Sequence, residues 1–120
     1  MNWLATGAAF CAVSVLAGAF GAHGLKASLS AEQLELWETA ARYLMYAGLG
    51  LGLVEVAAQL GGGWGVDAAG RCLIAGAIVF SGTVAILALG GPRWLGGVTP
   101  LGGLLLIAGF VLLAVSALRS

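Results

Sequence analysis

Charged residues are scarce in this sequence. Five lysine and arginine residues balance five aspartate and glutamate residues, and together they make up 8% of the 120-residue chain. A soluble domain carries about 25% charged residues, whereas 61% of this chain is hydrophobic. So few polar groups cannot cover a soluble protein of this length, which predicts an integral membrane protein in contact with membrane lipid. The balanced charge leaves no basic surface for nucleic acid.

Cysteine and histidine are also rare, with two cysteines and one histidine in the chain. Cys11 and Cys72 lie within or at the edge of apolar runs, which favours buried thiols over a disulfide framework. One imidazole with no cysteine nearby does not make a metal site by any usual ligand count. The sequence shows no nucleophile with a base, no paired carboxylates at one depth and no phosphate-binding motif. We therefore expect no metal, no cofactor and no enzymatic activity.

Long hydrophobic runs dominate the rest of the sequence. Each approaches the roughly 20 residues that a bilayer-spanning helix needs, and they predict transmembrane helices at about 3–23, 43–60, 71–89 and 101–118. A secretory signal peptide is the alternative for the first run, but no lysine or arginine precedes it. Residues 1–120 then form a single transmembrane domain with both termini on the same side. The lysines and arginines are too evenly divided between the two sides to orient it.

The polar segment 30–42 predicts an amphipathic helix at the membrane interface. Ser30 and Gln33 have the spacing of a capping box, and Trp37 is placed as an interfacial anchor. This segment should continue into the second span. The predicted fold is therefore an all-α, integral membrane four-helix bundle with a short interfacial helical segment continuous with helix 2. Pro100 is expected at the first position of the fourth helix.

Glu55 and Arg71 are a candidate intramembrane ion pair. Glu55 lies near the end of the second hydrophobic run, and Arg71 begins the third on the same side of the membrane. An ionisable residue inside a span is a functional hypothesis by default because burying a charge in lipid is costly. A pair that links helices 2 and 3 is the favoured interpretation, and a proton or cation site at Glu55 is the alternative.

The only histidine belongs to a second candidate group, a structural or functional polar cluster of His23, Arg42, Tyr43, Tyr46 and Ser81. As a structural group, His23 would cap the end of helix 1 and bond toward helix 2. As a functional group, it would titrate near neutral pH and pass protons or sense pH. A third interpretation makes it one axial ligand of a cofactor supplied by an assembly. The structural interpretation is favoured, since no second intramembrane titratable group lies at its depth.

Five segments resemble, in order and spacing, the family called domain of unknown function 423. They are residues 18–23, 29–39, 42–46, 80–82 and 98–103. The family comprises small four-helix inner-membrane proteins and includes the eukaryotic transmembrane protein 256. The resemblance implies a multi-pass protein of the bacterial cytoplasmic membrane, and it implies no established activity. Members usually carry a second histidine where this chain has Ala47, so any site built on two histidines would be incomplete here.

Two functions follow from these observations. The first is a non-catalytic packing, accessory or assembly protein whose glycine- and alanine-lined helix faces contact further copies of the chain, as a homo-oligomer, or a larger membrane complex. The second is a small oligomeric transporter or channel that uses Glu55 and His23. A cavity that reaches either residue would favour transport, whereas a dry bundle with Glu55 held by Arg71 would favour the first function.

Overall fold

The computed structural model describes residues 2–119, which form four α-helices. These are α1 (Trp3–Phe20), α2 (Ala31–Gln59), α3 (Trp64–Ala88) and α4 (Leu95–Arg119). No strand occurs among the described residues, and the predicted all-α bundle is confirmed. The segment Trp3–Leu25, α3 and α4 are each long and apolar enough to cross a membrane. α2 is longer, with 29 residues, but it is not among these three helices. Charged residues in its first turns and Glu55 near its end lower its mean hydropathy.

α2 is one unbroken helix of 29 residues, so the interfacial segment is continuous with helix 2 as predicted. Its start is fixed by a complete capping box. The Ser30 hydroxyl accepts from the Gln33 amide at 3.1 Å, and the Gln33 side chain accepts from the Ser30 amide at 2.9 Å. At 1.5 Å per residue the helix is about 43 Å long, which exceeds the roughly 30 Å hydrocarbon core of a bilayer.

α3 begins at Trp64 rather than at the predicted residue 71. α2 ends at a glycine turn, in which Gly61 has a φ of +90° and the amide of Gly62 donates to the carbonyl of Ala57 at 3.0 Å. Positive φ is readily adopted only by glycine, so the chain reverses within a few residues. The predicted start lies at the uninterrupted apolar run, whereas backbone hydrogen bonding continues the helix back through Asp67 to Trp64.

α4 begins at Leu95, and the prediction that Pro100 occupies its first position is wrong. Pro100 lies inside the helix, where it removes one backbone donor. The Thr99 hydroxyl donates to the Leu95 carbonyl at 3.0 Å and meets the Thr83 hydroxyl of α3 at 2.6 Å. These side-chain bonds hold the turn before the proline, so the helix extends beyond the hydrophobic run predicted at 101–118.

Glycine contacts bring the helices together in pairs. A Cβ on Gly48 of α2 would lie 2.8 Å from the carbonyl oxygen of Gly7 in α1. On the other side of the molecule, a Cβ on Gly76 of α3 would lie 3.0 Å from the carbonyl oxygen of Gly102 in α4. Small residues at such positions allow backbones to approach closely in membranes. Consecutive helices therefore pack side by side, with α1 and α4 at the two ends.

The core lies where α2 meets α3. Its largest fully buried side chains are Leu51, Val54 and Leu73. Trp3, at the start of α1, covers this core and contacts Gly70 of α3, where a Cβ would lie 2.5 Å from the indole ring. α1 and α3 meet at this end of the molecule. Toward the other end a groove separates them, and that groove positions the candidate site.

Candidate functional site

Trp37 of α2 holds the end of α1. Residues Gly21–Leu25 continue α1 as a π-helical turn, and the indole Nε1 of Trp37 donates to the carbonyl oxygen of Ala17 at 2.7 Å. A Cβ at Gly21 would lie 2.5 Å from the Trp37 ring, so glycine is needed for the ring to approach. π-helical turns are frequent at functional sites, and this one contains the segment around the only histidine.

His23 lies in the π-helical turn and is exposed. Its side chain makes no hydrogen bond to another described residue. The Arg42 guanidinium, which was expected near it, donates instead to the Thr39 hydroxyl on its own helix at 3.2 Å. Within residues 2–119, no three histidine, cysteine, aspartate or glutamate side chains gather closely enough to hold a metal ion.

The two tyrosines of the predicted cluster do lie together. Tyr43 packs edge-on against Tyr46, with ring centroids 5.1 Å apart. It also packs against Phe80 of α3 in a tilted arrangement, with centroids 4.7 Å apart. Ser81, the next residue along α3, lies in the groove described below. The structure thus joins Tyr43 with Tyr46 but links neither to His23, Arg42 or Ser81 by a hydrogen bond. The five residues do not assemble as one hydrogen-bonded cluster.

The predicted ion pair between Glu55 and Arg71 is not formed. Glu55 accepts a hydrogen bond from the Gln59 side chain at 3.0 Å, and the Nε of Arg71 bonds the Asp67 carboxylate at 2.7 Å. Because α3 begins at Trp64, Asp67 precedes Arg71 by one turn and is its nearest carboxylate. The Arg71 and Asp67 side chains are 69% and 53% exposed, and exposed pairs of this kind contribute little stability. The first interaction lies within α2 and the second within α3, so neither joins two helices.

A groove opens between α1 and α3, with α2 as its floor, and we call it the α1–α3 groove. Its cavity has a volume of about 340 Å³. Its lining includes Val13 and Ala17 of α1, Trp37 and Ala40 of α2, and Ser81 and Gly82 of α3. Small-molecule sites are mostly apolar clefts of about 300–1,000 Å³ with a few polar groups that orient the ligand. The α1–α3 groove has this size and chemistry.

Ser81 supplies the single hydroxyl that lines the α1–α3 groove. The residue is 7% exposed, and its Oγ has no hydrogen-bond partner in the described part of the chain. Two neighbouring hydroxyls are satisfied: Ser14 donates to the Ala41 carbonyl at 2.6 Å, and Thr83 donates to the Val79 carbonyl at 2.7 Å. A buried hydroxyl without a partner costs about 1–3 kcal/mol. Ser81 therefore offers an unused donor to anything that enters the groove.

Three further cavities lie elsewhere. One of about 360 Å³ is bordered by Ser14 of α1 and by Glu38 and Arg42 of α2. A second of about 470 Å³ lies between the start of α3 and the end of α4, beside Trp64 and Arg119, and a third of about 50 Å³ adjoins it. Neither His23 nor Glu55 lines any of these cavities or the α1–α3 groove.

Sequence reasoning selected Ser81 but not the groove that contains it. The available signal was the spacing of Ala77, Ser81 and Ala85, which places three small residues on one face of α3. Such a face ordinarily indicates close helix packing. Only the separation of α1 from α3 leaves this face open, and that separation is not encoded in the spacing.

Comparison with known proteins gives consistent matches. The family described as "Protein of unknown function (DUF423)" matches residues 17–103. A UPF0382 membrane protein of Staphylococcus haemolyticus is 43% identical over 86 residues, which cover 69% of this chain and 67% of that protein. The UPF0382 membrane protein YwdK of Bacillus subtilis is 40% identical over 84 residues, which cover 69% of this chain and 68% of that protein. No solved structure matches.

Proposed function

This chain is a membrane protein that belongs to the DUF423 family, whose function is unknown, and we propose that it acts without catalysis, through helix–helix contacts with a second copy or with a larger membrane complex. The observation that carries this proposal is the outer face of α1. Of its 18 residues only Trp3, Gly7 and Ser14 are buried. The exposed residues on the side of this helix that faces away from α2 are available to a partner.

The outer face of α1 has the composition of a helix-packing surface. Its exposed residues include Ala8, Ala12 and Ala19, which lie on one side of the helix at spacings of four and seven residues. Small side chains let two backbones approach closely, and close approach drives association in lipid because the hydrophobic effect between helices is absent there. A second helix can therefore pack along this face.

The distribution of polar groups supports a non-catalytic role. Among the described residues, the buried polar side chains are the hydroxyls of Ser14, Ser81 and Thr83. Catalytic sites usually combine a pocket with titratable groups of perturbed pKa. Here the charged side chains are exposed or, for Glu55, half-buried, and the buried polar groups are hydroxyls. The transport alternative is less well supported, since neither Glu55 nor His23 lines any of the four cavities described above.

The proposed location is the bacterial inner membrane, with four spans and both termini on the same side. The bacterial relatives are named membrane proteins. Only for α2 does hydropathy leave open whether the helix crosses the membrane. Two observations support a crossing: its length, and its packing between α1 and α3, both of which are apolar enough to span. We expect a helix that is packed between two spanning helices to share their membrane.

Ala12→Leu tests the outer face of α1, with Ala114→Leu on α4 as the matched control, since both alanines are exposed. We expect the parent chain, cross-linked in native membranes, to give a higher-mass species containing a second copy or another subunit. Ala12→Leu should reduce that species several-fold because the larger side chain separates the backbones, while Ala114→Leu should leave it unchanged. A parent chain that runs only as an isolated monomer would overturn the proposal.

A further inference from the structure

The α1–α3 groove has the features of a ligand site, and we propose that it binds a neutral lipid with a carbonyl group on a largely apolar body. This site is separate from the outer face of α1. The first supporting feature is chemical: apart from Trp37 and Ser81, the lining residues carry only aliphatic side chains or none, and no charged residue lines the groove. A charged headgroup would have no counter-charge here, so the ligand is uncharged where it enters.

The second feature is the hydroxyl of Ser81. Thr39, Thr83 and Thr99 each donate to the carbonyl four residues earlier in their own helices. Ser81 makes no such bond and has no other partner in the described chain, although it is 93% buried. A donor that is removed from water and left unpaired is unfavourable. A carbonyl oxygen of the ligand would accept this hydrogen bond.

The third feature is the depth of Ser81. It precedes the end of α3, at Ala88, by two turns, or roughly 10 Å at 1.5 Å per residue. Because no charged residue lines the groove, a lipid without a charged headgroup can bring its carbonyl to this position at the least cost. Neutral quinone-type lipids have this chemistry.

The Nε1 of Trp37 already donates to the Ala17 carbonyl, so the ring contributes an apolar face to the groove. Among the side chains that line the groove, Ser81 is therefore the one with an unpaired donor. A planar head can lie against this face while one oxygen meets the Ser81 hydroxyl. The groove runs along the side of the bundle between two helices, which allows an attached apolar chain to remain in the bilayer.

Gly82 gives a direct way to close the groove. It lines the cavity, and a Cβ at this position would meet no atom within 4 Å. Gly82→Leu should therefore fill the groove without displacing a helix. Gly52 of α2 is the matched control because a Cβ there also meets open space, and Gly52 does not line the groove.

The test measures binding of decyl-benzoquinone by quenching of tryptophan fluorescence in nanodiscs, with exposed Trp64 and Trp94 replaced by phenylalanine. Trp37 in the groove and buried Trp3 at the other end of α1 are then the remaining emitters. We expect saturable quenching in the otherwise unchanged chain and in Gly52→Leu. Gly82→Leu should abolish the saturable component. Ser81→Ala should weaken binding about fivefold, the equivalent of one hydrogen bond, while leaving thermal stability unchanged or raised.

Decylbenzene has the chain and a ring but no carbonyl, so it distinguishes recognition of the carbonyl from binding of any hydrocarbon. We expect it to compete at least fivefold less effectively than the quinone. Equal competition, quenching that does not saturate, or an unchanged affinity in Ser81→Ala would overturn the proposal. It would also be overturned if cross-linking showed a helix of a second copy seated in the groove and Gly82→Leu released that copy.

Discussion

At the residue scale, the Trp37 side chain makes two kinds of contact with the end of α1, a hydrogen bond and an aromatic contact. Its indole nitrogen bonds the Ala17 carbonyl, and its ring packs edge-on against Phe20 with centroids 6.5 Å apart. The amide of Gly21 also donates to the Ala17 carbonyl, so this oxygen receives two bonds. Trp37 thereby fixes the position at which α1 gives way to its π-helical turn.

Trp37→Phe keeps an aromatic ring but removes the donor to Ala17. We expect the free energy of unfolding to fall by about 0.5–1 kcal/mol, the range for a hydrogen bond between membrane helices. Unfolding in mixed detergent micelles, followed by circular dichroism, measures this change. Trp94→Phe is the control because Trp94 is exposed, and equal losses in the two variants would contradict the role assigned to Trp37.

At the element scale, the α1–α2 contact depends on two facing glycines. A Cβ on Gly48 would lie 2.8 Å from the Gly7 carbonyl oxygen and 3.1 Å from the backbone nitrogen of Cys11. Both neighbours are backbone atoms, so the clash cannot be relieved by a rotating side chain. Beside this contact, Ser14 donates to the Ala41 carbonyl across the same interface. Close approach and hydrogen bonding therefore stabilise the helix pair together.

Gly48→Ala should force α1 away from α2 and lower the free energy of unfolding by about 1–3 kcal/mol, as overpacking does in other cores. Gly52→Ala, one turn later on α2, meets open space and should be neutral or stabilising by up to about 1 kcal/mol, because alanine is the better helix former. The same micelle titration compares the two. The interpretation fails if Gly48→Ala is as stable as Gly52→Ala.

At the scale of the whole molecule, the helices form a series in which each packs mainly on its neighbours in sequence. α1 and α4 occupy the ends and bury few residues, three and four respectively among those described. α2 and α3 bury seven and ten. This arrangement leaves the outer faces of the end helices open to lipid or partners, and it leaves the α1–α3 groove uncovered.

Single cysteines test whether α2 crosses the membrane with the other helices. In a chain whose Cys11 and Cys72 are replaced by alanine, Ser28→Cys and Arg93→Cys should react with an impermeant maleimide from one side, and Gly63→Cys from the other. This result follows if successive connections alternate across the bilayer. The cysteine-free parent controls for background labelling, and reaction of Ser28→Cys and Gly63→Cys from the same side would contradict a fourth span.

The sequence by itself determined the membrane class, the helical architecture and the local start of α2. The scarcity of charge and the long apolar runs require a lipid environment. The Ser30–Gln33 capping box acts between residues that are three apart in the sequence. Such interactions depend on one segment at a time. They do not require the positions of the other helices, which is why they can be inferred without a structure.

The tertiary structure alone decided which groups meet between helices. It directed Glu55 and Arg71 to partners on their own helices, left His23 apart from the tyrosines, and placed Ser81 in an open groove. Each outcome depends on how closely two helices approach and at what height their residues face each other. Glycine contacts and Trp3 set those distances, so the groove and its unpaired hydroxyl emerge only when α1, α2 and α3 are packed together.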